Sequence, residues 1–235
     1  MCGLAAVAAL CATDIRRIER LFFEPRLASG LKEVRRILGK AHKPYREVDG
    51  EELARIAGTV RHGGVVAVTR PRPVLPLDAA LAASWARDGR PLLILDGIGN
   101  PHNLGAIVRS AAFFGVQHIV LSDRPEQALP SAASYRVAEG ALDRVTLHRA
   151  SLVAVLPLLK RSYRIVGTAL DRGTPLAAFR RDRPVALIVG NEESGVEPPI
   201  LALCDTVVTI AGTGQVQSLN VAAAVSVMLY ALAAG

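Results

Sequence analysis

Apolar and polar positions alternate along this chain in two rhythms. Over the first third, short apolar runs are separated by amphipathic stretches. Their order predicts a helix over residues 3–13, a strand over 18–23, a helix over 27–40, a strand over 45–48, a helix over 50–57 and a strand over 64–69. That alternation gives a small three-layer α/β unit. "HGGVVAV", at 62–68, is a tight turn feeding a buried strand. "PRPVLPLD", Pro71 to Asp78, is a stiff extended connector and marks a domain boundary.

Beyond the connector the pattern predicts a helix over 77–87, then "PLLILD" as a buried parallel strand. The stretch "NPHNLGAIVRSAAFFG", Asn100 to Gly115, starts as a polar loop and becomes an apolar helix. "HIVLS" is the next strand, so the three form a βαβ unit. "YRIVGTAL", "VALIVGNEESG" and "TVVTIAGTGQVQSLN" each read as an apolar strand running into a polar loop that holds glycine or threonine. The last helix, "SLNVAAAVSVMLYALAA", is apolar on nearly all sides and belongs in the core or in a subunit interface. Ser218 reads as its N-cap, with Asn220 two residues inside. The boundaries that follow are residues 1–72, a Pro-rich linker and helix over 73–89, and a larger domain over 90–235.

Composition adds limits. The chain has 235 residues, and 51% of them are apolar, enough to bury a core. No run of 18 apolar residues occurs, so no membrane span is expected. "MCGLAAVAALCATD" has no basic residue before its apolar run and reads as a core helix, not a signal peptide. Cys2, Cys11 and Cys204 lack metal-ligand spacing, and a reduced, cytoplasmic protein with buried thiols and no metal is expected. The net charge is +7. Residues 1–72 hold 14 Lys/Arg against 8 Asp/Glu, a net of +6, and the remainder is near balance. This points to a polyanion, nucleic acid first among them, or equally to a solvated basic surface.

In open α/β sheets, ligands bind where strands end and loops begin. Three such loops stand out: "DGIGNPHN", "GNEESG" and "AGTGQVQSLN". A dinucleotide fingerprint fails, because His102 stands where a third glycine is needed. No P-loop, zinc spacing or G-x-S-x-G elbow occurs. Arg109 sits among Ile107, Val108, Ala111 and Ala112, one and a half turns after the first loop. Its side chain either snorkels to water or points back toward that loop. Glu192 is the nearest sensible carboxylate partner if the two strands are neighbours.

Together the three loops resemble the SpoU family of RNA ribose 2′-O-methyltransferases, in the SPOUT superfamily. The family's N-x-G-x-x-x-R helix start stands here as Asn103, Gly105 and Arg109. Its G-N-E-G-x-G stands as "GNEESG", Gly190 to Gly195, and its S-L-N-V helix start as "SLNV", Ser218 to Val221. The resemblance covers about residues 90–233, and the N-terminal third is similar to the family's RNA-binding domain. It implies a parallel-sheet domain with a C-terminal trefoil knot, and S-adenosylmethionine as methyl donor. It further implies ribosomal or transfer RNA as acceptor, and a homodimer through the catalytic domain. Arg109 would act on the 2′-hydroxyl, Asn103 would fix Arg109 or the ribose, and Glu192 would orient Arg109. Ser218 and Asn220 would position the acceptor and the methyl group. The cofactor would be held at Thr168, Gly190, Ile210 and Leu219. Glu193, Ala211 and Ala222 depart from the family pattern. Glu193 keeps a second reading open, a cofactor-binding RNA-binding protein with lost catalysis.

Overall fold

The computed structural model describes residues 1–70 and 72–234; Pro71, where the predicted connector begins, lies outside them. The chain forms two compact units, one of Met1–Arg72 with Pro130–Arg144 and one of Pro73–Leu129 with Val145–Gly235.

In the first unit, β1 (Ile18–Phe23) pairs in parallel with β2 (Tyr45–Glu47) and antiparallel with β3 (Val65–Thr69). A register irregularity between Ile18 and Arg20 lets Ile18 and Leu21, three apart, both face the core with Phe23. Helix α1 (Leu4–Asp14) adds Val7 and Leu10 to that core, and α2 (Lys32–Lys40) adds Leu38. The helix expected over 27–40 is shorter than predicted. Pro25–Leu27 is a 3-10 turn, and the α-helix begins only after Ser29 and Gly30, a pair that favours turns over helix. Helix α3 (Gly50–Ala57) is capped by the Asp49 carboxylate, which accepts from Glu52 N at 2.8 Å, and ends on Gly58 in the left-handed region.

The second unit is an eight-stranded, all-parallel sheet. Its strands are β4 (Leu75–Pro76), β5 (Leu92–Asp96), β6 (His118–Ser122), β7 (Thr146–Ala150), β8 (Arg164–Thr168), β9 (Thr174–Pro175), β10 (Val185–Gly190) and β11 (Thr206–Thr209). They lie in the order β4-β7-β6-β5-β10-β8-β11-β9. Every residue of β5 and β10 is buried, as expected of central strands covered on both faces. Helices α4 (Ala79–Arg87), α7 (Leu152–Leu159) and α8 (Pro198–Ala202) close one core, around Trp85, Leu156, Tyr163 and Ile200. Helix α5 (Pro101–Phe113) packs against α9 (Val221–Ala234), where Ser110 Oγ meets Ser226 Oγ at 2.8 Å.

One expectation is corrected here. Helix α9 starts at Val221, and Asn220 is its cap, not Ser218: Asn220 Oδ1 accepts from Ala222 N at 2.9 Å, and its carbonyl accepts from Ala224 N. Residues 211–220 are exposed loop, so Ser218 has no helix to cap. In α9, Val225, Met228 and Leu229 face inward, while Val227 and Tyr230 are exposed on the single chain.

The segment Pro130–Arg144 leaves the sheet between β6 and β7 and packs in the first unit. It forms α6 (Ala132–Ala138), capped by Ser131, and a 3-10 turn over Ala141–Asp143. Arg17 ion-pairs with the buried Asp143 and donates to Tyr135 Oη at 3.1 Å. A buried carboxylate needs such a partner.

Candidate active site

All strands of the second sheet run the same way, so the loops that follow β5, β10 and β11 emerge at one end. Strands β5 and β10 are neighbours, in register from Leu92 with Ala186 to Asp96 with Gly190. The loop after β5 and the loop after β10 therefore start side by side.

The first loop is built to launch α5. Asn100 Oδ1 accepts from His102 N at 2.8 Å, and Pro101 takes the first helical position, where no N–H is needed. This places Asn103 in the first turn. The second loop closes on itself. Asn191 and Gly195 exchange two backbone hydrogen bonds of 3.0 Å, and Asn191 Oδ1 accepts from Glu193 N and Ser194 N. A Cβ on Gly190 would meet the backbone of Gly195 and Val196 at 2.0 Å, so only glycine permits this closure. The third loop ends on the Asn220 cap.

The three loops meet through a chain of side-chain hydrogen bonds. Asn103 Nδ2 donates to Glu192 Oε1 at 2.6 Å, and Asn220 Nδ2 donates to Asn103 Oδ1 at 3.1 Å. The directions follow from chemistry: an ionised carboxylate only accepts, so it takes the amide N–H of Asn103 and leaves Oδ1 for Asn220.

A deeper clamp lies beneath. Asp96, buried at the end of β5, accepts from Glu197 N at 3.0 Å and lies 3.5 Å from Arg124. Arg124 also pairs with Glu126 and with Glu197 at 3.2 Å. Burial opposes the charge of Arg124, but Asp96, Glu197 and Glu126 together outweigh it and raise its pKa. Gln127 Oε1 accepts from Gly97 N and Ile98 N, and Asn191 Nδ2 donates to Gly97 O at 2.8 Å. The turn after β5, with Gly97 at φ +78°, is thus held from the loops after β6 and β10. Asp96, Arg124, Gln127 and Asn191 were not singled out in the sequence. Asp96 and Asn191 sit at the ends of β5 and β10, while Arg124 and Gln127 lie in the loop after β6.

The remaining expected residues distribute as follows. Arg109 is exposed in the middle of α5, between buried neighbours. Thr168 is buried at the end of β8, between β10 and β11. Ile210 is half-buried just past β11, while Ser218 and Leu219 are exposed in the loop before Asn220. Asn103, Glu192 and Asn220 are in direct contact; Thr168, Gly190 and Ile210 share the same end of adjacent strands. Ser218 makes no hydrogen bond within this set. The three cysteines are half-buried, not buried, and free.

Residues 90–230 match the SpoU rRNA Methylase family, and residues 1–75 match the RNA 2′-O ribose methyltransferase substrate-binding family. The chain belongs to the SpoU rRNA methylase family. Its reaction class is methyl transfer to a ribose 2′-hydroxyl of RNA. A 23S rRNA (guanosine-2′-O-)-methyltransferase of Acinetobacter baylyi is 32% identical over 97% of this chain and 94% of its own length. An uncharacterized tRNA/rRNA methyltransferase of Escherichia coli O157:H7 is also 32% identical, over 97% of this chain, which spans 65% of that protein. An AdoMet-bound rRNA methyltransferase from Sinorhizobium meliloti superposes with a TM-score of 0.81 at 21% identity, over 98% of this chain and 85% of the other.

The candidate cofactor residues of this SpoU chain fit a ligand with both apolar and hydrogen-bonding parts. Ile210 and Leu219 offer apolar surface, and the exposed backbone of 211–220 offers donors and acceptors. Among the described residues, no group of three His, Cys, Asp or Glu is placed to hold a metal ion.

Proposed function

We propose that this protein methylates a guanosine ribose 2′-hydroxyl in ribosomal RNA, with S-adenosylmethionine as donor. The observation that carries the reading is the Glu192–Asn103–Asn220 chain, which ties the three family motifs into one site. The ribosomal substrate is supported by the relative of 94% length coverage, itself a 23S rRNA enzyme. The cofactor, bound at Thr168, Gly190, Ile210 and Leu219, supplies an electrophilic methyl group on a sulfonium.

The residues of the chain supply the rest. A neutral hydroxyl is a poor nucleophile, so its proton must leave as it attacks. Arg109 stabilises the developing alkoxide as a fixed cation, while water or a phosphate oxygen takes the proton. Asn103, held at both ends, orients the ribose or Arg109. Glu192 fixes Asn103 and contributes to orienting Arg109. Ser218 and Asn220 position the acceptor beside the methyl group. Glu193 departs from the family pattern, yet its side chain is exposed and its backbone N–H donates within the loop, so it leaves the Glu192–Asn103 contact in place.

Residues 1–72, with Pro130–Arg144 in the same unit, bind RNA by its phosphates, and the parallel-sheet unit of Pro73–Leu129 and Val145–Gly235 is the catalytic domain. The C-terminal segment is knotted as a trefoil. Two copies associate through α5 and α9, whose exposed Phe113, Tyr230 and Val227 make an apolar face suited to a second subunit. No helix among the described residues crosses a membrane, and the site of action is the cytoplasm, where ribosomal RNA is.

Incubating the full chain with methyl-labelled cofactor and ribosomal RNA, then mapping the modified nucleotide, tests this. Label at one guanosine 2′-oxygen is expected. Cofactor binding without incorporation would establish the second reading, an RNA-binding protein without catalysis.

A further inference from the structure

The second unit carries its charge unevenly. It holds twelve Lys/Arg against eleven Asp/Glu, nearly balanced. Yet eight of the cations lie at the starts of the parallel strands, the end opposite the catalytic loops. Arg87 and Arg90 precede β5; Lys160, Arg161 and Arg164 border the start of β8; Arg180, Arg181 and Arg183 precede β10. Only Asp88, Asp182 and Asp205 accompany them, a local net of +5. The rest of the unit holds four cations against eight carboxylates, including Asp96, Glu126, Glu192, Glu193 and Glu197 around the site.

Several of these cations share partners. Arg164 donates to Arg180 O at 3.2 Å and pairs with Asp182 at 3.1 Å. Lys160 and Arg183 share Asp205, each at 3.3 Å. Arg90 pairs with Asp88 at 3.4 Å. The three carboxylates are thus already committed. Arg87, Arg161, Arg180 and Arg181 are exposed and have no carboxylate partner among the described residues. A surface kept merely solvated would intersperse both signs; here the uncompensated cations gather at one end.

We propose that this basic end is a second RNA-binding surface, contacting backbone phosphates of the substrate away from the methylated nucleotide. The inference rests on the proposed function. Strands of five residues separate the two ends of the sheet by roughly 17 Å before loops are counted. An RNA that touches both ends is therefore folded, not a short strand. Such contacts position the RNA without reading its bases.

The test measures binding of the full chain to a folded ribosomal RNA transcript over a salt series, with methyl incorporation by the unaltered protein on the same RNA. Replacing Arg87, Arg161 and Arg181 by Gln is expected to weaken binding on the order of tenfold. It should also lower the slope of log affinity against log salt by about two, at roughly 0.7 to 0.9 for each phosphate no longer neutralised. Asp88→Asn with Asp182→Asn adds charge to the same surface and should move both readouts the other way; this pair decides the matter if the arginine variant folds poorly. Slopes and affinities equal to those of the unaltered protein in both variants overturn the surface. If the unaltered protein transfers no methyl while the slopes still differ, the catalytic reading fails and the surface stands.

Discussion

Asn103 has one amide, and both of its ends are engaged, by Glu192 and by Asn220. Asn103→Asp would set two carboxylates against each other and lose the N–H donor. Methyl transfer should fall steeply while the melting temperature changes little, because the pair is exposed; unchanged turnover per folded molecule would remove Asn103 from the site. Arg109→Ala is expected to lower turnover about 100- to 1000-fold, as deletion of an oxyanion donor does, with cofactor affinity nearly unchanged. Arg109→Lys should also fail, since a lysine lacks the planar fork. A side chain that only snorkels would instead lower thermal stability modestly and spare turnover, so both quantities are measured on one preparation. Asn103, Arg109, Glu192 and Asn220 could all be named from motif spacing. That Asn103 donates to a Glu192 oxygen could not, because motif spacing does not decide which donor reaches that carboxylate.

At the level of elements, the central strands were readable because burial on both faces leaves continuous apolar runs, as in "VALIVG". Between 123 and 160 no element was predicted. There β7 carries His148 and Arg149 among its five residues, and the apolar run of α7 contains Pro157, so neither shows a clean period. The loop after β10 gives a sharp test. Gly190→Ala forces a Cβ into the Gly195–Val196 backbone, and should cost several kcal/mol of stability and abolish cofactor binding, read by melting and calorimetry. A second test concerns the start of β6. His118 stacks on Trp85 with ring centroids 3.5 Å apart and meets His148 at 3.3 Å. Burial first, then His148 and Arg90, pushes the His118 pKa down to about 4 from 6.5, and burial lowers His148 too. Both rings are thus neutral in the folded protein where the unfolded chain would be protonated. Stability present above pH 6.5 should be lost as pH falls toward 4, by about 2 kcal/mol for His118 once solvent screening of the half-buried ring is discounted. In His118→Gln, the melting temperature should depend less on pH across that window; an identical slope would refute the assignment.

For the whole molecule, the apolar face of α5 and α9 makes oligomeric state measurable. Phe113→Glu with Tyr230→Glu should convert a dimer to a monomer in sedimentation at micromolar concentration, and a monomeric unaltered protein would leave that face unexplained. A two-part organisation was expected from the proline-rich connector and the charge asymmetry. The return of Pro130–Arg144 to the first unit was not, because nothing in local periodicity reveals which core a short helix will join. That return sets an order of events during synthesis. Arg17 emerges from the ribosome long before Asp143, and until the later residue appears the first unit lacks α6 and a buried partner for an early cation. By then β4, β5 and β6 are already made, so the nascent chain holds two incomplete units at once. The RNA-binding part therefore cannot finish until β4, β5 and β6 of the catalytic part have been made, and a messenger truncated before residue 143 would yield neither.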